Sequence, residues 1–176
     1  NLLVLPFVPL LMALGFLYNL SATEQVQALT SCTEKQYATN IVSNSPTYYS
    51  HIPASNILGA LDSNGVNFIS NGNQYGYVTV GFSTTIKNES GSDLLLHLSD
   101  FSVYENEHFQ VFGSSDGSNF VSLGTFYAFQ TTINQPLSIP IDLATGGLSS
   151  AIQIKIQNLR LTDNNGRNEW QGPDID

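Results

Sequence analysis

The hydrophobic and polar positions divide the chain into an oily front and a β-rich body. Asn1 to Leu20 holds no charged side chain, and the first charge is Glu24. A helix over Leu2 to Leu20 would be ~28 Å long, about the depth of a bilayer's hydrocarbon core. It would be apolar on every face, unlike a surface helix of a soluble domain. Pro6 and Pro9 fall near its start, where free N–H groups tolerate proline, and Tyr18 and Asn19 close it with groups that favour an interface. From Ser21 to Ser43, Val26, Leu29, Thr33, Tyr37 and Ile41 recur every three to four residues, which predicts a weak helical continuation. Asn44 to Pro53 holds two prolines and no period, and reads as a linker.

Everything after the linker reads as β. Tyr77 to Phe82, Asp93 to Leu98, His108 to Phe112 and Ala151 to Ile156 are rich in apolar residues, and several alternate apolar with polar. Turn clusters separate them at Asn71-Gly72-Asn73, Asn88-Glu89-Ser90-Gly91, Ser115-Asp116-Gly117-Ser118 and Gly146-Gly147. Many short strands at this spacing predict an antiparallel sandwich. The expected organisation is a hydrophobic membrane-spanning or filament-core helix at 1–20, a helical extension and linker at 21–53, and a β-sandwich domain at 54–176.

Charge changes the picture of partners. With 14 acids against 5 bases the net charge is −9, which excludes a phosphate-binding surface for nucleic acid and disfavours docking on anionic lipid. Only 11% of residues are charged, so the polar surface is built mainly of Ser, Thr, Asn and Gln, as suits a periplasmic or extracellular location. The single cysteine, Cys32, allows neither an internal disulfide nor a cysteine metal cluster. Leu29-Thr30-Ser31-Cys32 has the look of a lipobox but stands apart from the apolar run, so Cys32 reads as a bystander. Residues 1–20 also fit a secretory signal peptide, with Val26-Gln27-Ala28 as a small-residue cleavage site. The absence of a basic segment ahead of the run favours an uncleaved anchor or a filament-core helix.

An ordered series of segments carries a resemblance. Asn56-Ile57-Leu58-Gly59-Ala60-Leu61-Asp62 comes first, followed by Tyr77 to Phe82 and Gly91-Ser92-Asp93-Leu94. Glu107 to Phe120 and then Gly172-Pro173-Asp174-Ile175-Asp176 complete it. From about Ser55 onward this resembles the discoidin-like, galactose-binding-type β-sandwich modules of bacterial surface and exported proteins. The resemblance implies a jelly-roll sandwich, so the expected fold class is mainly β with an N-terminal transmembrane-type α-helix. Within that pattern Val111 and Phe112 end one strand of a hairpin, Asp116-Gly117 supplies its tight turn, and Phe120, Val121 and Leu123 begin the return.

The resemblance also implies two kinds of site. Such modules often hold calcium where the opening loop meets the last strand, and Asp62, Asn64, Asp174 and Asp176 offer hard oxygen ligands there. They also bind sugars or lipids through loops at one end. Tyr48, Tyr49, Tyr75, Arg167 and Trp170 are the candidate contacts, because aromatic faces and a guanidinium suit sugar rings and carboxylates. The loop from Asp163 to Trp170 is the most elaborate in the domain, and packing of Trp170 over the sandwich end with an Arg167–Glu169 pair is the competing structural role.

Catalytic machinery is not legible. The chain has no phosphate-binding glycine loop, while Glu105 and Glu107 read as a like-charged surface pair. His51, His97 and His108 lack the spacing of a transition-metal set. The expected function is therefore that of a non-enzymatic, membrane-anchored extracytoplasmic β-sandwich, an accessory or structural subunit of a larger membrane assembly. Its partners would be other membrane-protein subunits or copies of itself, with residues 2–20 in the bilayer. A pilin-like filament subunit is the first alternative, although Leu5 stands near where bacterial pilins carry a glutamate. A cell-surface carbohydrate-binding adhesin is the second.

Overall fold

The computed structural model describes residues 36–47, 51–62, 65–71, 73–99, 106–129, 137–160, 169–171 and 175, with the backbone alone at 71, 106–107, 128–129 and 169–171. The helix expected over 1–20 and the cysteine at 32 lie outside the described residues. Among the described residues no helix is long and apolar enough to cross a membrane.

Nine strands follow in order: β1 (Asn40–Asn44), β2 (Ile69–Asn71), β3 (Tyr77–Lys87), β4 (Leu94–Leu98), β5 (Asn106–Ser114), β6 (Val121–Phe129), β7 (Leu137–Ile141), β8 (Ser150–Asn158) and β9 (Glu169–Gln171). They form a five-stranded sheet in the order β1-β3-β8-β5-β6 and two ribbons, β2-β9 and β4-β7. Every pairing is antiparallel.

Strand period two fixes which side chains meet in the core. Val78 and Val80 of β3, Phe109 and Val111 of β5, and Ile154 and Ile156 of β8 are buried on one face of the five-stranded sheet. Leu96 and Leu98 of β4 and Ile141 of β7 join them from the facing ribbon. Ile175 bridges both Val66 and Leu98, so the C-terminal segment ties the ribbon to the segment before β2. Asp93 fastens the ribbon's entry: its Oδ1 accepts from the Glu89 N–H at 2.7 Å and its Oδ2 from the Leu143 N–H at 2.9 Å.

Two expectations need correction. The helical stripe through Ile41 gives way to β1, which pairs with β3 in the register Ile41 to Val80 and packs Ile41 against the core. A stripe at three-to-four spacing cannot compete with an open β3 edge that accepts the strand's backbone groups. The sheet therefore draws on residues ahead of 54. The Asp116-Gly117 turn is also longer than a two-residue hairpin, because residues 115–120 separate β5 from β6. Only Gly117 of the pair is recorded with positive φ, at +78°. The Asp116 carboxylate organises the loop, accepting from the Ser118 and Asn119 N–H groups at 2.8 Å each and from Asn119 Nδ2 at 2.7 Å. These donors hold its pKa well below the carboxylate range, the Asn119 backbone N–H foremost.

Candidate functional site

Backbone pairing links the segments of two candidate sugar contacts, Trp170 and Tyr75. Strand β2 pairs with β9 in the register Ser70 to Trp170, which brings residues 100 positions apart onto one ribbon. Tyr75 stands in the loop that leaves this ribbon for β3, and the residue is 39% exposed. Two features fix that loop. The Gly76 N–H donates to the buried Ser70 Oγ at 2.8 Å, and the Asn158 N–H donates to the Gly76 carbonyl at 2.8 Å. A Cβ at Gly76 would collide with the Phe68 carbonyl, so only glycine lets the chain turn this close over β2. The backbone next to Tyr75 is thereby held against β2. Tyr48, Tyr49 and Arg167 lie outside the described residues, as does the side chain of Trp170.

Of the calcium candidates, Asp62 is described and exposed, while residues 64, 174 and 176 lie outside the described set. The backbone does bring their neighbourhoods together, since Val66 and Ile175 exchange N–H to carbonyl bonds of 2.9 and 3.2 Å. Next to Val66, the buried Asn67 Oδ1 has no hydrogen-bond partner among the described residues. An oxygen left unpaired in this way fits a hard-cation seat in the chemistry of its donor. Among the described residues no three His, Cys, Asp or Glu side chains cluster as a metal set.

The histidines are placed separately. His97 Nδ1 is 2.9 Å from Ser138 Oγ across the β4-β7 ribbon, and His108 stacks on Tyr127 with centroids 4.0 Å apart. A cleft of about 100 Å³ between β4 and the five-stranded sheet is lined by apolar side chains such as Val80, Phe82, Leu96 and Ile154, with His97 at its polar side. Its apolar walls offer little to the hydroxyls of a sugar. Sequence reasoning missed the outward face of the five-stranded sheet, where Lys155 lies against Tyr77 and Phe112. The alternation along Ala151 to Ile156, which placed Ile154 and Ile156 inside, also placed Lys155 outside.

No protein-family model matches the chain, and no curated protein matches it by sequence. Solved structures do. One is the CBM32 of AlyQ in complex with 4,5-unsaturated mannuronic acid, at 14% identity and a TM-score of 0.51, covering 81% of this chain and 98% of that one. Another is reduced XRCC1 bound to the DNA pol beta catalytic domain, at 13% identity and a TM-score of 0.50, covering 79% and 99%. A pectin-binding carbohydrate-binding module aligns at 15% identity and a TM-score of 0.49, over 81% and 92%. Likeness at this level of identity speaks to architecture: this chain has a mainly antiparallel, CBM32-like fold, a galactose-binding-like β-sandwich.

Proposed function

We propose that this chain is a non-catalytic carbohydrate-binding module working outside the cytoplasm, with its sugar contacts at the end that carries Tyr75 and Trp170. The observation that supports this reading is the β2-β9 pairing, which sets the Trp170 backbone against Ser70, five residues ahead of the exposed Tyr75, in a chain with a CBM32-like fold. Aromatic rings at a loop end offer flat apolar faces to the C–H face of a sugar, and Arg167 adds a fork for a carboxylate. The AlyQ module was solved with an unsaturated mannuronic acid, so acidic oligosaccharides are the first ligands to try. Titration of neutral and acidic oligosaccharides by calorimetry tests the reading, with binding expected in the unmodified chain and lost in Trp170→Ala. Undiminished binding by Trp170→Ala would move the site elsewhere, and no binding across the panel would end the proposal.

Calcium belongs to the same reading as a structural ion. Asp62, Asn64, Asp174 and Asp176 would hold it, pinning the loop after Asp62 to the C-terminal segment. It would supply no chemistry beyond that constraint. Calcium should raise the melting temperature of the unmodified chain and not that of Asp62→Ala; an equal response in both would remove Asp62 from the set.

The hydropathy of residues 1–20 favours a companion reading in which the module is tethered, either to a membrane assembly or within a filament. Extraction only with detergent supports the first, and shearing as fibres supports the second. Full solubility of the whole chain as a monomer, without detergent, contradicts both.

A further inference from the structure

The outward face of the five-stranded sheet has the composition of a binding surface. Lys155 sits between buried Ile154 and Ile156, so strand alternation turns it away from the core. Its Nζ lies 5.1 Å from the centre of the Tyr77 ring and 5.6 Å from that of Phe112, a cation held between aromatic groups on the two neighbouring strands. Partial burial lowers its pKa below the ordinary lysine value and is the sole cause of the shift. No carboxylate among the described residues pairs with it, in a chain where acids outnumber bases 14 to 5.

The next row of the same face is made of neutral amides. Register places Tyr77 opposite Gln157 and Gln157 opposite Gln110, whose Nε2 donates to the exposed Ser122 Oγ at 2.8 Å. One step further along the strands, Tyr127 of β6 stacks on His108 of β5 and leaves 68% of its surface exposed. Tyr77 and Tyr127 are three strands apart in the order β3-β8-β5-β6, or about 14 Å at the usual interstrand spacing. Rings thus stand at the two ends of the strip, carboxamides fill its middle, and one ammonium with no acid partner among the described residues lies beside them.

We infer that this sheet face is a second carbohydrate-binding surface, taking a chain of carboxylate-bearing sugars laid across β3, β8, β5 and β6. Lys155 receives a uronate carboxylate, Gln110 and Gln157 exchange hydrogen bonds with hydroxyls, and Tyr127 stacks on a sugar ring. The chemistry follows from the groups. A flat row of amides and rings matches linked pyranoses, and a cation stripped of part of its hydration gains most from an anionic partner. The inference rests on the reading of this chain as a carbohydrate binder and extends it to the outward face of the sheet.

The test uses the full chain with two probes on one backbone, polygalacturonate and its fully methyl-esterified form. Lys155→Gln should weaken binding of polygalacturonate roughly ten-fold, the scale of a lost charge-assisted hydrogen bond, and leave the esterified polymer unchanged. Lys155→Arg should restore the acidic polymer. Tyr127→Ala removes an exposed side chain, so the fold tolerates it, and it should weaken both polymers alike. Polygalacturonate binding unmoved by both Lys155→Gln and Tyr127→Ala overturns the second surface, as does failure of the unmodified chain to bind either polymer. The first proposal stands independently of that outcome if Trp170→Ala abolishes binding to any member of the oligosaccharide panel.

Discussion

Phe109 and Phe112 are the same residue type on the same strand, and they live in different worlds. Phe109 is 0% exposed, with its ring 5.8 Å from that of Phe126 inside the sandwich. Phe112 faces outward, half-buried, under the Lys155 ammonium. The inner face of the sheet is apolar and packed, apart from the cleft beside β4. The outer face carries amides, rings and a cation that the core does not require. Positions whose side chains folding does not demand are where a function of this domain has room to reside.

Substitutions can break or sharpen that contrast. Phe109→Ala should cost about 3–5 kcal/mol, the range for truncating a buried aromatic, seen as a lower denaturation midpoint at constant slope. Phe112→Ala should cost about 1 kcal/mol, since it loses partial burial and one cation–π contact. Equal costs at the two positions would erase the distinction between faces. The smallest effect belongs to the turn that joins β5 to β6. Asp116 binds its proton less readily in the folded chain than its usual value of 3.8, because the turn's N–H groups favour the carboxylate. Its contribution to stability is thus fully present above that value and is lost as pH falls below it toward the depressed folded value. Acid titration of unfolding should show this limb in the unmodified chain and a shallower one in Asp116→Asn.

Local pattern made much of the sandwich legible. The runs Tyr77 to Phe82, His108 to Phe112 and Ala151 to Ile156 fall within β3, β5 and β8, and Asp93 to Leu98 covers β4 from one residue ahead of it, because half-buried strands must alternate. Strand β1 was hidden, since Ile41 also satisfies a helical stripe and only the edge of β3, some forty residues away, decides the matter. Strand β7 carries Pro140, which lacks a ladder donor and masks a strand, yet it pairs with Leu95 in a two-stranded ribbon. The residue types proposed for the site, Tyr75 and Trp170, can be picked out of the sequence, but the pairing that links their segments cannot. That link is the pairing of Ser70 with Trp170, which no local window contains. Lys155 escaped notice because its two rings come from strands on either side of its own.

The strand order has a consequence for how the molecule is born. Strands β1 and β3 form one pair and β5 and β6 another, but β8, which starts at Ser150, is the single member hydrogen-bonded to both. A ribosome delivers that strand late, so the two earlier pairs must wait with their apolar faces in water until it emerges. Such deferred closure makes for slow maturation and a long window for misassociation.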